Sequence, residues 1–354
     1  MPRLQLEYIW LDGTDDQDVR SKTRIIEVAM PTEDQQWLNV IPEWGFDGSS
    51  TMQAEGNDSD CLLVPVKVYP DPFRQTIWSV DQSHLVLCEV RNADGSTHIS
   101  NHRERLVELA GKYETAEVWV AIEQEYTLFK DGRPFGWPEN GDDPEEQGPY
   151  YCSPDRNAGG RIADRHKDVC LDLGMVISGI NAEVMLGQWE YQLGPVNPLI
   201  AADDLVVSRW LLKRLATLIE DAWVSFAPKP IAGDWNGAGA HVNFSTMQMR
   251  AEGGIKVVRA AENKLRRFHK EHIKVYGKNN DQRMTGKHET ASMDTFTMGD
   301  SDRGASVRIP LQVLREEKGY LEDRRPAANM NPYLVLTALL ETILGEGFIA
   351  PENL

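Results

Sequence analysis

Cysteine is scarce: Cys61, Cys88, Cys152 and Cys170 are the only four in 354 residues, and none stands in a C-x-x-C or zinc-finger spacing. Such a chain has no thiolate metal motif, and buried free thiols in a reducing cytosol fit it best. Long apolar runs are missing too. No stretch approaches about 18 apolar residues, so no membrane span is expected. The opening MPRLQLEYIW has no basic segment followed by a long apolar one, so no secretory leader is expected and the location reads as cytoplasmic. Positive charge is also short, with 37 basic residues against 55 acidic and a net charge of −18. That field repels phosphate, so neither a nucleic-acid nor a membrane partner is expected. A site for an anionic substrate must then be locally basic or metal-loaded. No Walker A motif occurs. Gly345-Glu346-Gly347-Phe348-Ile349-Ala350 imitates a dinucleotide fingerprint, but no helix follows it. There is no internal repeat.

What remains is an ordinary globular composition, 41% hydrophobic, long enough for one large or two ordinary domains. Residues 3–98 read as strands and turns. Leu4, Leu6, Tyr8 and Trp10 alternate up to the Asp12-Gly13 turn. Partner strands are expected at Lys22–Val28, Cys61–Tyr69 and Leu85–Val90. Helices are expected at His102–Lys112, Arg161–Leu173 with Gly174 after it, Asp203–Ala222, Ile255–Tyr276 and Pro332–Leu344. Strand-like runs lie between them, at 182–193, 241–246, 305–310 and 320–325. The class is α+β, divided at 1–98 and 99–354. Two long loops, Phe135–Cys152 and Asn279–Phe296, have the character of lids or binding loops.

The most informative stretch is Val118–Phe129. Val118, Val120, Ile122, Tyr126 and Leu128 alternate as one apolar face of a strand. Glu123 and Glu125 fall together on the other face. Two like charges side by side call for either solvent or a cation. The other strand-like runs repeat the pattern. Glu190 shares a face with Gln188 and Gln192, His241 with Asn243 and Ser245, Glu322 with Arg324, and Arg308 with Ser306. Glu183 lies in the adjoining Asn181-Ala182-Glu183-Val184. On one sheet, these faces would gather several carboxylates, an imidazole and arginines. Oxygen ligands with one histidine suit Mg²⁺ or Mn²⁺, and arginines beside them suit phosphoryl transfer. The glycines of Gly233–His241 allow a ligand to approach the backbone closely.

The chain resembles glutamine synthetase, in its type II, eukaryotic-like branch, from about Tyr8 to Asn331. Six segments carry the likeness: Glu43–Thr51, Glu123-Gln124-Glu125-Tyr126, Asn181–Met185, Gly237–His241, His288-Glu289-Thr290 and Glu322–Pro326. The resemblance implies a small N-terminal β-grasp-like domain. A larger catalytic domain would follow, with a curved antiparallel sheet backed by helices. It implies ATP-dependent condensation of L-glutamate with ammonium through γ-glutamyl phosphate. The alternative is a related ligase joining another amine.

By the same resemblance, Glu125, Glu183 and Glu190 would hold one Mg²⁺ or Mn²⁺ ion, and Glu123, His241 and Glu322 another. Asn236, Gly237, Arg283, Arg303 and Arg324 would hold glutamate. Glu123, Glu190, Asn243, Ser245, Arg303, Arg308 and Tyr320 would face ATP. Asp47, Ser50 and Tyr151 would bind ammonium. Asp47, Glu289 and Arg303 would be catalytic, with Glu289 on a flap. The family's Asp47 counterpart comes from a neighbouring subunit, which implies a homo-oligomer, a decamer of two pentameric rings. Lys287 stands where the family pattern has an aromatic, and Gly299-Asp300-Ser301-Asp302 is unusually acidic. No regulatory extension and no adenylylation loop is expected.

Overall fold

A computed structural model describes residues 3–27, 36–74, 83–144 and 150–351. Val28 of an expected strand, and Gly148 and Pro149 of an expected loop, lie outside these. Backbone packing separates two units. One is Met1–Glu104 with Val206–Trp210, and the other is Arg105–Leu205 with Leu211–Leu354.

The first unit holds a mixed sheet of β1 (Arg3–Leu11), β2 (Val19–Glu27), β3 (Trp44–Asp47), β4 (Asp60–Pro70) and β5 (Ser83–Asn92), in the order β2-β1-β5-β4-β3. The central pair β1–β5 is parallel and the others are antiparallel. Leu4, Leu6, Tyr8 and Trp10 alternate into a core with Phe46, Leu63, Val86, Cys88 and Val90. The polar Gly48–Thr51 closes as a 3₁₀ turn capped by the Asp47 carboxylate.

The second unit is built on β6 (Trp119–Lys130), β7 (Arg133–Pro134), β8 (Ile177–Ala182), β9 (Gln188–Val196), β10 (Trp223–Ser225), β11 (Ala240–Ser245), β12 (Met298–Asp300), β13 (Val307–Ile309) and β14 (Leu321–Asp323). Its main path runs β12-β13-β14-β11-β6-β9-β8, with β7 and β10 also on β6. All five polar-faced runs therefore share one sheet. Pairing is antiparallel except at the β12–β13 edge. The alternation of β6 holds even at Gln124, which points to the apolar side. It is fully buried there, and its amide donates to the Ala328 carbonyl at 3.0 Å.

The helices are α1 (Arg103–Lys112), α2 (Gly160–Asp172), α3 (Pro198–Glu220), α4 (Met247–Arg250), α5 (Ile255–Arg267), α6 (His269–Val275), α7 (Leu311–Glu316) and α8 (Pro332–Ile343). α2 packs on β8 and β9, and α5 and α6 pack on α8. Three expectations need correction. The run 182–193 is not one strand, because 183–187 forms the turn between β8 and β9, where Gly187 takes φ +88°. The helix expected from Asp203 begins at Pro198, with Asn197 capping the Leu199 amide. The single helix expected over 255–276 is two, broken at Phe268.

Candidate active site

Strand register decides which side chains meet. Glu123 lies opposite His241, Glu125 opposite Glu190, and Glu322 opposite both Asn243 and Arg308. Same-face neighbours and diagonals across a sheet are within side-chain reach. Two trios result, Glu123–His241–Glu322 and Glu125–Glu183–Glu190. In each, one ligand atom from every residue lies within 4.8 Å of the others. Glu123 and Glu125 tie the trios together through a single strand.

Neighbours aim the second trio. Glu125 Oε2 accepts from the Gly239 amide at 2.9 Å and from Gln188 at 3.3 Å. Glu183 Oε1 accepts from the Tyr150 hydroxyl at 3.1 Å and from Asn181 at 3.0 Å. Glu190 Oε1 accepts from Gln192 at 2.9 Å. All three carboxylates are buried. Burial first, and then repulsion from neighbouring carboxylates, lifts Glu183 to about 8 against Glu125, and lifts Glu190 well above the ordinary carboxylate range against Glu123, Glu125 and Glu183. Burial also lifts Glu125 to about 7, against the opposing pull of Arg283. Three such groups ionise together only if a cation joins them.

In the first trio Asn243 donates to Glu123 Oε1 at 2.8 Å. His241 Nδ1 is buried without a hydrogen-bond partner and lies 3.5 Å from both Glu123 and Glu322. Burial, with Arg324 and Arg283 nearby, pushes the His241 pKa well down, so the ring is neutral. A neutral imidazole between carboxylates is a metal-ligand donor set. Both trios fit a divalent cation.

Arginines line the same cavity. Arg308 and Arg324 hold the two oxygens of Glu322 at 2.7 and 2.6 Å. Arg283 is buried, 2.9 Å from His241 Nε2, and donates to the Arg324 carbonyl at 2.9 Å. The Nε–H groups of Arg308 and Arg324 and the Asn236 side-chain oxygen are buried and unpaired. Buried polar atoms left without a partner on residues that line a cavity call for one that the chain itself does not supply. The cavity holds roughly 150 Å³, and Gly237, Tyr151, Glu289 and Arg303 also line it. Glu289 sits at the tip of a hairpin closed by a Thr285–Ser292 bridge. His288 and Glu289 both have positive φ, 52° and 58°, a strained tip. The Glu289 carbonyl accepts from Arg324 at 3.3 Å, and His288 pairs with Asp234 at 2.9 Å.

Some expected site residues stand apart from the cavity lining. Asn243 is turned to Glu123. Ser245 is buried and accepts from Arg250 at 2.9 Å, and Tyr320 is half-exposed beside Glu123 and Glu322. Asp47 and Ser50 lie in the first unit. There the fully exposed Asp47 carboxylate accepts from the Ser49 and Ser50 hydroxyls, both at 2.6 Å, and is held below the usual range by them. Sequence reasoning assigned no role to Gln188 and Gln192, although they share the period of Glu190. It also missed Tyr150, Asn181 and Arg250. Arg250 lies 3.9 Å over the Trp119 ring, and no periodicity marks it.

Residues 4–93 match the family model described as glutamine synthetase, beta-Grasp domain, and residues 101–262 match glutamine synthetase, catalytic domain. A glutamine synthetase of Streptomyces viridochromogenes is 51% identical, with 95% of each chain covered. A chloroplastic one of Chlamydomonas reinhardtii is 49% identical over 96% of this chain and 90% of its own. One from Saccharomyces cerevisiae is 46% identical over 97% and 90%. A cryo-EM structure of Plasmodium falciparum glutamine synthetase shares the fold, with a TM-score of 0.73 at 15% identity over 97% of this chain and 72% of that one. With two acidic trios bridged by one strand, and near-full-length relatives of one kind from bacteria, algae and fungi, the chain belongs to the glutamine synthetase family, and the algal and yeast relatives fit its type II branch.

Proposed function

We propose that this site joins L-glutamate to ammonium at the expense of ATP, with the two trios as paired cation sites. The single observation that carries the reading is the pair of trios on β6, each with ligand atoms within 4.8 Å. Glu125, Glu183 and Glu190 would hold one Mg²⁺ or Mn²⁺, and Glu123, His241 and Glu322 the other. Cations held there supply charge neutralisation for phosphates and for the attacking carboxylate.

The chain's own groups do the rest. Glutamate's side-chain oxygen attacks the γ-phosphorus as the bond to ADP breaks. Arg303 and Arg308 face the charge on the transferring phosphoryl group. Arg283 and Arg324, with Asn236 and Gly237, hold glutamate's charged ends. Asn243, Ser245, Tyr320 and the outer oxygens of Glu123 and Glu190 flank the nucleotide. Once bound ammonium has given up a proton, the ammonia nitrogen attacks the acyl carbon as phosphate leaves, and a second proton leaves the nitrogen as the amide forms. Asp47, with Ser50 and the Tyr151 ring, binds the cation and takes its proton. The serine bonds that keep Asp47 anionic favour binding over basicity, so the deprotonation that frees the nitrogen lone pair is uphill and must precede carbon–nitrogen bond formation. Glu289 on its hairpin covers the acyl phosphate and keeps water from it.

The exposed Asp47 carboxylate is available to a neighbouring copy. From the family resemblance, and not from this exposure alone, we take the working form to be a homo-oligomer, a decamer of two five-membered rings, in the cytoplasm. Residues 1–98 would form the β-grasp part and 99–354 the catalytic part. Among the described residues no helix is long and apolar enough to cross a membrane. The purified protein should give glutamine and phosphate in equal amounts only with ATP, glutamate, ammonium and Mg²⁺ or Mn²⁺ together. No phosphate release with all four present would sink the proposal. An amine panel with competing ammonium tests the nucleophile, and preference for a bulkier amine would replace ammonium in it.

A further inference from the structure

Behind the site face of β14 lies a buried polar group that the reaction itself does not use. Glu322 faces His241 and Arg324 lines the cavity, so their neighbours Asp323 and Arg325 point the other way, where both are fully buried. Arg325 Nη2 donates to Asp323 Oδ2 at 2.7 Å, and the Tyr276 hydroxyl donates to the same oxygen at 2.7 Å. Arg325 Nη1 donates to His269 Nδ1 at 3.1 Å, and His269 Nε2 lies 2.8 Å from the Met293 carbonyl. An arginine cannot accept and a carbonyl cannot donate. His269 is therefore the neutral tautomer with its proton on Nε2.

Met293 is where the Glu289 hairpin rejoins the fold. Its amide donates to the Met284 carbonyl at 3.0 Å, one step outside the Thr285–Ser292 bridge. The other leg is anchored on the same residue pair. Asn280 donates to the Arg325 carbonyl at 2.8 Å, and Arg283 donates to the Arg324 carbonyl at 2.9 Å. Both legs therefore hang on Arg324-Arg325, the incoming leg by backbone carbonyls and the outgoing leg through the His269 imidazole and, three residues on from Met293, the Phe296 ring 5.1 Å under the Arg325 guanidinium.

We propose that His269 is a positioning residue that fixes the outgoing leg of the hairpin to the buried Arg325–Asp323 pair. It thereby sets where Glu289 closes over Arg324 and Glu322. The inference rests on the reading of Glu289 as the cover that keeps water from the acyl phosphate. Loosening the leg should let water compete with ammonium, so that phosphate is released without glutamine.

The test is the ratio of phosphate to glutamine in full-length assembled protein. His269→Asn keeps an acceptor for Arg325 but cannot reach Met293. The ratio should rise and kcat should fall about tenfold, the worth of one lost hydrogen bond passed on to the position of Glu289, with KM for ATP unchanged. His269→Gln can still reach the Met293 carbonyl and should restore most of the coupling. Asn and Gln variants with equal ratios, or an Asn variant at one to one, would overturn the role. Glu289→Gln serves as the control. If it leaves the ratio at one to one, the reading of the cover fails first. If it raises the ratio and His269→Asn does not, only the present inference fails. Should His269→Asn not assemble, hydrogen exchange on the unaltered protein decides. The Met293 and Arg325 amides should then open together, and independent opening would refute the link.

Discussion

Glu123 and Glu125 stand two positions apart on β6, yet each belongs to a different trio. Glu123 meets His241 and Glu322, and Glu125 meets Glu183 and Glu190. On the proposed reading, their spacing would set two cation positions side by side where a phosphoryl group would cross. Glu123→Ala should mainly raise KM for ATP, whereas Glu125→Ala should mainly impair glutamate use. Steady-state kinetics with each substrate varied would show it, and matching defects would end the division. The buried trio also carries a pH consequence. Folded pKa values raised above the ordinary carboxylate value mean that the folded protein keeps protons the unfolded chain has lost. Without cation, stability should therefore fall as pH rises from about 5 through the about 7 and about 8 of Glu125 and Glu183. A cation must displace those protons, so Mn²⁺ should raise the unfolding temperature more at pH ~8 than at pH ~6. Thermal scans with chelator and with Mn²⁺ check this. A Mn²⁺ shift that ignores pH would show that the trio is not protonated when empty.

At the scale of elements, alternation in the sequence showed which face each strand offers but not which residue lies opposite which. Nothing local to β11 says that His241 rather than Asn243 lies directly opposite Glu123, because pairing register comes from the whole sheet. Glu183–Gly187 imitates a strand because Val184, Met185 and Leu186 are apolar, although Met185 fills the core from a turn. The start of α3 was legible in Asn197-Pro198, the same cap-and-proline pair that opens α8 at Asn331-Pro332. The break at Phe268 has neither glycine nor proline to announce it. The segment before β11 illustrates what a strand inherits from its approach. A Cβ on Gly239 would lie 2.5 Å from Arg283 Nη2 and 2.7 Å from His241 Nε2, while the Gly239 amide holds Glu125. Gly239→Ala keeps the amide but must move Arg283 or His241. It should lower kcat/KM for glutamate by at least about tenfold, since sub-ångström misplacement of reacting groups is expensive. Activity within about twofold of the parent would show that the two side chains yield without consequence.

For the whole molecule, the sequence carried the family through six short segments, but it could not show where one copy's site ends and another's begins. Asp47 is exposed in the first unit, while the trios lie in the second. If Asp47 serves a neighbour's trios, each site draws on two copies, as closed rings with repeated head-to-tail contacts permit. That arrangement can be separated from a site built within one copy. Asp47→Asn and Glu125→Ala should each be nearly inactive alone. When equal amounts are dissociated and reassembled together, a shared site pairs an intact Glu125 with a neighbour's intact Asp47 in about a quarter of positions, so about a quarter of the activity should return. A site confined to one copy would always contain one defect, and mixing would restore nothing. Restoration that requires reassembly, and is absent when the two proteins are merely combined, would place the ammonium-binding carboxylate across the interface. Persistent inactivity of well-mixed rings would move Asp47 back to its own subunit.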